Sequence, residues 1–394
     1  MKKIIFLGYV VSPDEANVAS GASVAGNKMQ WNIIKNLKNM EDIDISCITV
    51  TPLASYPNDK KIYQRKEERK LFQNVKVNRI SYLNLPVIKQ LWQIINVYRT
   101  AKKIVDKEKI DMIFCFNLFP QIGIPMRWLK RKFPNLETVC LLADLPIDDN
   151  TERRGVSRWL RNIMEKSTWK SMKMCDKYIV LNKHVIEKYL TNKAYIVIDG
   201  GVAKEDIEKY NNKITKSKEH NIVYSGALTE YNGIKNLIKV MNELKETNIY
   251  LDIYGSGYLE EEVKQAERDN CHIRYHGRVT NAEVMRKQQE AWLLINPRNI
   301  NDPIAQVTFP SKTFEYLLSG TPVLSTKLNA YSDEYNEIMI FCDDSVLGIS
   351  KIIREIYYKS DSELSNLALQ AKEFIINQRN WEIQTKKIYN FIKR

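Results

Sequence analysis

Several absences narrow the chemistry open to this chain. No apolar run approaches the ~18 residues a membrane-spanning helix needs, so no helical span is expected. The start, "MKKIIFLGYVV", is basic and then apolar, but polar "SPDEAN" follows without a small-residue cleavage site; the reading is a first buried strand, with no leader expected. Histidines number four and share no ligand spacing. The six cysteines (Cys47, Cys115, Cys140, Cys175, Cys271 and Cys342) are scattered without a Cys-x-x-Cys, which suits buried thiols in a reducing cytoplasm and excludes a zinc ribbon or disulfide framework. No convincing Asp-x-Asp pair offers itself to a metal, and Gly255-Ser256-Gly257 lacks the third glycine of a dinucleotide fingerprint.

What is present begins with length and charge. At 394 residues with 44% hydrophobic side chains, the chain can build two cores, each of roughly 200 residues. Its charge is polarised. Residues 1–200 hold 34 Lys and Arg against 20 Asp and Glu (+14), whereas residues 201–394 hold 26 against 27 (−1). An excess confined to one half favours an anionic surface or ligand: phospholipid, a lipid phosphate or nucleic acid.

Both halves alternate strand and helix. "KKIIFLGYVV", "DISCITV", "IDMIFCFN", "ETVCLLADLP" and "DKYIVLN" read as strands, with helical periodicity between them. A polar stretch at residues 209–221 reads as a linker, after which "IVYSGAL", "IYLDIYGSG", "IRYHGRV", "WLLINP" and "PVLST" repeat the pattern. Strands apolar throughout and separated by helices predict two mostly parallel sheets covered on both faces, with a cleft between the domains and ligands at the carboxyl ends of strands. The last helix, around "NWEIQTKKIYNFIKR", is expected to cross back and brace the first half.

The most informative stretch is "FPSKTFEYLLSGTPVLS", residues 309–325. Pro310 suits a helix entrance, Phe314, Leu317 and Leu318 fall on one face, and Gly320 is a natural stop. The spacing predicts a short helix that begins where a strand ends. Its free amides, Lys312 in the first turn and Arg298 from the preceding loop would together favour a phosphate, and Glu315 one turn deeper could accept two hydrogen bonds from a vicinal diol. The competing reading makes Lys312 and Glu315 an exposed i,i+3 pair worth a few tenths of a kcal/mol. Gly226, Gly255 with Gly257, and Gly277 follow successive strands, where a glycine lets backbone approach a ligand; singly, each also fits an ordinary turn.

The order "VYSGAL", "LDIYGSG", "YHGRV", then Glu315 before "YLLSGTPV" resembles the donor half of GT-B glycosyltransferases of the family 4 type, most clearly over residues 221–326. The resemblance implies two Rossmann-like domains. These would be residues 1–205, binding the acceptor and facing a membrane; 206–376, binding a nucleotide-sugar donor; and 377–394, a helix packing back on the first. It implies that Gly226, Gly255 and Gly257 lie along the donor, that backbone at Arg278 and Val279 holds the base, and that Glu315 takes the ribose. Phe309, Pro310, Ser311 and Lys312 would form the turn around the diphosphate, with Arg298 and Lys312 stabilising the leaving group. No metal or cofactor is expected beyond the donor itself, with UDP the family's most frequent carrier, and retention at the anomeric carbon is the family's usual outcome. The family often carries a second glutamate eight residues before the first; here that position is Val307. The Arg and Lys usual after the first glycine strand would fall near Ala227 and Asn232. The chain matches a branch with N-P-R…F-P-S-K, and the loop 302–308 (Asp302, Gln306, Thr308) is expected to do the missing glutamate's work.

In the first half, the stretch from Gly8 to Gln30 reads as one long loop containing Gly21 and Gly26; in related enzymes such a loop lies over the reacting centre. Asp144 ends a strand and either orients or deprotonates an acceptor hydroxyl or caps a helix. The basic segments 127–133 and 153–173 carry Trp128, Trp159 and Trp169, a composition suited to a bilayer interface and equally to solvated helices with an apolar core side. The expectation is a cytoplasmic enzyme, peripheral on the inner face of the cell membrane. It would move a sugar from a nucleotide diphosphate to a lipid-linked or glycan acceptor in cell-surface polysaccharide synthesis, with no nucleic-acid partner. Two rivals are a nucleotide-sugar epimerase of the same fold and a nucleic-acid-binding protein using the basic half, though no recognisable module supports the latter.

Overall fold

The computed structural model describes residues 1–71, 75–146, 156–210 and 214–394. They form two compact units, Met1–Gly200 with Trp381–Arg394, and Gly201–Asn380. Arg153, Arg154, Asp148 and Asp149, singled out above, lie outside the described residues.

The first unit holds β1 (Lys2–Gly8), β2 (Ile43–Thr49), β3 (Tyr63–Gln64), β4 (Glu67–Leu71), β5 (Val75–Arg79), β6 (Tyr82–Leu83), β7 (Met112–Phe116), β8 (Glu137–Leu142), β9 (Lys177–Val180) and β10 (Ala194–Val197). Eight of them make one sheet in the order β10-β9-β8-β7-β1-β2-β5-β4; β3 and β6 pair apart. All its neighbours are parallel except β4, which runs antiparallel to β5. β7, "MIFCF", is buried at every position, as a central strand covered on both faces must be. From β1 the order runs one way through β2 and the other way from β7, so the chain reverses direction between β1 and β7. That switch opens a crevice at the strands' carboxyl ends.

The stretch after β1 is not one long loop. Pro13–Val18 is a helix, and the next helix, Val24–Lys38, starts early enough to include Gly26. The cause is capping. Ser12 Oγ accepts from Glu15 N at 3.2 Å while Glu15 Oε2 accepts from Ser12 N at 3.1 Å, and Ser23 Oγ accepts from Gly26 N at 3.1 Å. The closing helix, Trp381–Lys393, belongs to this unit: Trp381, Ile388 and Ile392 are buried, Lys2 Nζ donates to Ile392 O at 2.6 Å, and Lys393 and Tyr389 both hold Asp42. Asp42 and Asp44 spell an Asp-x-Asp, but they sit at the amino end of β2, and Asp44 pairs with Lys38.

The second unit is built on β11 (His220–Ser225), β12 (Ile249–Tyr254), β13 (Ile273–Gly277), β14 (Leu293–Asn296), β15 (Val323–Thr326) and β16 (Ile340–Cys342), all parallel, in the order β13-β12-β11-β14-β15-β16. Its switch point lies between β11 and β14. Of the stretch expected as a linker, residues 211–213 lie outside the described residues and the rest is tied into this unit. Helix Lys204–Lys209 precedes it, Ser217 N donates to Glu290 O at 2.8 Å, and β11 begins at His220.

The two units give the predicted α/β architecture. Replacing Ile388, fully buried, with Ala should cost about 2–4 kcal/mol. Hydrogen exchange should then accelerate in β1 and helix Val24–Lys38, where the last helix packs, and stay unchanged in β11–β14.

Candidate functional site

In the second unit, the helix Lys312–Leu318 is bolted under the end of β11 by one side chain. Tyr316 is 2% exposed, and its Oη accepts from Ser225 N at 2.9 Å. Gln288 Nε2 donates to Ser225 Oγ at 3.0 Å, and Tyr210 Oη bonds Gln288 Oε1 at 3.1 Å. On the other side, Thr313 Oγ1 meets Tyr331 Oη at 2.9 Å, and Tyr331 also takes a hydrogen bond from Asn296 Nδ2 at the end of β14. The helix is thus held across the sheet's switch point by buried hydroxyls whose partners are all present. Burial pushes the Tyr316 hydroxyl up to about 12, with Ser225 opposing.

This fastening sets the stance of Lys312 and Glu315. Neither is exposed, and neither makes an ion pair or side-chain hydrogen bond among the described residues. An exposed i,i+3 pair is therefore not what they form. Burial pushes the Lys312 amine below the usual lysine value, and Glu315 pulls it the other way. Arg298 follows β14; its guanidinium lies 5.5 Å from the Tyr231 ring centre, Nη1 reaches Thr308 Oγ1 at a long 3.5 Å, and buried Nε has no partner among the described residues. Polar groups taken from water without partners are costly and uncommon. Among the described residues, Lys312, Glu315 and the Arg298 Nε are such groups on the loops and helix of this switch point.

The neighbouring residues divide by role. Phe309 and Pro310 are buried; Phe309 stacks on Phe314 at 5.0 Å and meets Tyr331 edge-on, so its ring packs inward. Pro310 O accepts from Thr313 N at 2.9 Å, which takes up one of the helix's first amides, and exposed Ser311 makes no cap. The loop 302–308 folds on itself. Asp302 Oδ1 accepts from Ile304 N at 2.8 Å and Thr308 Oγ1 donates to Ile304 O at 2.8 Å, so these polar groups shape the turn beside Arg298.

Gly255 and Gly257 are demanded first by backbone meeting backbone, whereas a Cβ at Gly226 would fall 2.6 Å from the Tyr224 hydroxyl. Gly255 sits at φ +136, and a Cβ there would lie 1.8 Å from Gly226 O; at Gly257 it would lie 2.3 Å from Leu228 O. Gly226 N bonds Tyr254 O, and Gly255 N bonds Gly277 O, so the loops after β11, β12 and β13 are stitched in series. The last is fixed by His276, which motif reasoning passed over. Its ring stacks on Tyr254 at 4.4 Å and Nε2 meets Asp252 Oδ1 at 2.7 Å. Burial would raise the Asp252 carboxyl, but His276 and Asn221 hold it below the usual range. Beyond it Arg278 is exposed and Val279 half-buried.

The first unit has a cavity of about 270 Å³ at its own switch point, walled by residues that follow β1, β2, β7 and β8. Gly21 lines it and packs against Leu53, where a Cβ would fall 2.8 Å from the Leu53 carbonyl carbon. Asp144 also lines it, held by a residue the sequence did not flag. Asn117, at φ +54, donates from Nδ2 to Asp144 Oδ2 at 3.1 Å and accepts on Oδ1 from Ala143 N and Asp144 N. An Asn directly after an apolar strand is the signal that could have marked it. Burial raises the Asp144 carboxyl, and the Asn117 bond opposes. Thr51 Oγ1, on a lining residue, is buried without a partner among the described residues, and the buried Tyr9 hydroxyl lies against the Gln121 side chain. Of the expected tryptophans, Trp169 is half-buried against Tyr189, and Trp128 and Trp159 are exposed. No helix among the described residues is long and apolar enough to cross a membrane.

Residues 219–357 match the family described as "Glycosyl transferases group 1". Over 317 residues, 78% of each chain, the sequence is 24% identical to an uncharacterised glycosyltransferase of Methanocaldococcus jannaschii. Among solved structures, sucrose-phosphate synthase from Thermosynechococcus elongatus superposes with a TM-score of 0.69 at 14% identity, over 100% of this chain and 98% of that one. A lipopolysaccharide outer core galactosyltransferase in its apo form gives 0.63 at 14% identity, over 99% of each. The chain has the GT-B fold, carries a glycosyltransferase group 1 domain, and is a transferase enzyme.

The raised Asp144 carboxyl has a sign that can be tested. Its ionisation costs more in the folded state, so stability is lost as pH rises from the ordinary aspartate value of 3.8 through the folded value. Asp144→Asn should raise the melting temperature of the first unit at neutral pH by a few degrees. Calorimetry should show that gain vanish as pH falls below 3.8.

Proposed function

We propose that this glycosyltransferase, of the family 4 type, moves a sugar from a nucleoside diphosphate sugar, UDP being the expected carrier, to a lipid-linked or glycan acceptor in cell-surface polysaccharide synthesis. One observation carries the reading: Lys312 and Glu315 lie half-buried and without an ion pair among the described residues, on a helix at a sheet switch point, with Arg298 on the loop after β14. Opposite charges so placed suit a ligand with a diphosphate and a diol. Arg298 and Lys312 take the diphosphate oxygens, and Glu315 takes the ribose hydroxyls. The stitched loops at Gly226, Gly255 and Gly257 and the turn at Arg278 and Val279 frame the nucleoside; Phe309, Pro310 and Ser311 shape the turn that carries Lys312.

In the reaction, the bond from the anomeric carbon to the diphosphate oxygen breaks, and the diphosphate leaves with the electron pair. Arg298 and Lys312 stabilise that charge, so the reaction proceeds without a metal. The acceptor hydroxyl bonds to the anomeric carbon and gives up its proton to the departing diphosphate. The cavity of the first unit, lined by the polar side chains of Tyr9, Thr51, Gln121 and Asp144, suits the hydroxyls of an acceptor sugar. Gly21 keeps the loop above it close. The expected outcome at the anomeric carbon is retention, and the expected place is the cytoplasmic face of the cell membrane.

Incubation with a panel of UDP- and GDP-sugars and a lipid or glycan acceptor extract, read by mass spectrometry, tests this. Transfer should occur, persist in EDTA, and fall at least ~10²-fold in Lys312→Met. Epimer formation from donor alone, or transfer abolished by EDTA and restored by a divalent ion, would contradict the reading.

A further inference from the structure

The first unit carries an apolar face that its core does not use. On the helix Ile88–Val105, the side chains of Ile88, Leu91, Trp92 and Ile95 are all exposed, Leu91 at 59%. They recur at i, i+3, i+4 and i+7 and so share one side, while Ile94, Val97 and Ala101 face the core. The helix Pro120–Lys132 packs alongside, adding exposed Trp128, whose ring meets Tyr98 edge-on at 5.2 Å. The helix Val156–Met174 comes next, its register set by Arg127 Nη2 donating to Ser167 Oγ at 3.1 Å. One and two turns before Ser167 it exposes Ile163 and Trp159, the latter at 61%. Seven large apolar side chains on three adjacent helices exceed the scattered exposure of an ordinary surface.

The same helix supplies the complementary charge. Arg99 and Lys103 continue the line of Ile88, Trp92 and Ile95 towards its carboxyl end. With Lys66 and Lys107 they line a groove of about 470 Å³ against β4 and β5. Lys76 in that groove pairs with Glu68, and Glu108 with Lys3. The side chains of Lys66, Arg99, Lys103 and Lys107 make no ion pair among the described residues. A second copy of this chain would set like charges against one another. A nucleic acid would leave Leu91 and Ile95 without a role. Exposed aliphatic and tryptophan side chains beside unpaired cations fit a surface that is apolar within and anionic outside.

We propose that this face docks the protein on an anionic lipid bilayer. Ile88, Leu91, Trp92 and Ile95 enter the boundary between headgroups and acyl chains, and Arg99, Lys103, Lys66 and Lys107 take lipid phosphates. The proposal rests on the membrane-side reading of the function and names the surface that performs it, a helix outside the basic segments the sequence had marked.

The test is co-sedimentation of the full chain with phosphatidylcholine vesicles, plain or mixed with phosphatidylglycerol, at rising salt, with UDP affinity measured on the same samples. Binding should require phosphatidylglycerol and weaken with salt. Arg99→Gln with Lys103→Gln should weaken it about fivefold per cation. Leu91→Ser with Ile95→Ser, at exposed positions, should abolish tight binding. Equal binding to plain phosphatidylcholine, wild-type binding by either double variant, or salt-steep oligonucleotide binding without vesicle binding would overturn the proposal. Vesicle binding without UDP binding supports the surface while failing the donor site; UDP binding without vesicle binding rejects the surface alone.

Discussion

The Tyr316 hydroxyl, bonded to the backbone at Ser225, is the contact on which the second unit's site depends. It joins a helix of seven residues, too short to hold its own shape in water, to the carboxyl end of β11. With Thr313 held by Tyr331 on the opposite side, the helix cannot roll. Residues 312 and 315 are one turn apart on it, and their half-buried stance follows from that locking. A Phe at 316 would leave the Ser225 amide buried without its partner, a loss of about 1–3 kcal/mol at the one place where the site cannot absorb movement.

Locked in this way, Lys312 and Glu315 stand in a partly desolvated place without a salt bridge or side-chain hydrogen bond among the described residues. Arg298, whose buried Nε has no partner among the described residues, adds a second cation. Burying charge is unfavourable unless something repays it. A chain selected only for stability would more readily place apolar groups here. The same tension recurs in the first unit, where Asp144 is held by Asn117 although burial opposes its charge. Both places lie at switch points of parallel sheets, where strand ends diverge and leave a crevice.

The architecture was legible because buried parallel strands are written as short apolar runs, and those runs fell where β1, β2, β7 to β9 and β11 to β15 lie. Residues 63–83 were passed over because an edge strand such as β4, "EERKL", faces solvent and carries charge in place of an apolar run. The helix Pro13–Val18 was missed although Ser12 and Glu15 spell a capping box, since six residues hold too few apolar positions to show a period. Within the site, Lys312, Glu315 and Arg298 could be read from their order around a strand end. Phe309 could not be separated from the binding residues, because whether a ring beside a loop turns inward is decided by partners distant in sequence, here Tyr331 and Tyr335. His276 and the exposed side of the helix Ile88–Val105 escaped for the same reason, since each depends on neighbours that only folding brings together; Asn117 left one local signal, its place directly after an apolar strand.

The most direct measurement of the central claim is calorimetric titration of UDP and of its 2′,3′-dideoxy analogue into the wild-type protein, Lys312→Met and Glu315→Gln. A site in which Lys312 holds the diphosphate and Glu315 reads the ribose predicts that Lys312→Met weakens both ligands about tenfold or more, whereas Glu315→Gln weakens UDP and leaves the dideoxy analogue unchanged. Wild-type affinity for UDP in both variants, or no UDP binding by the parent protein, would contradict it.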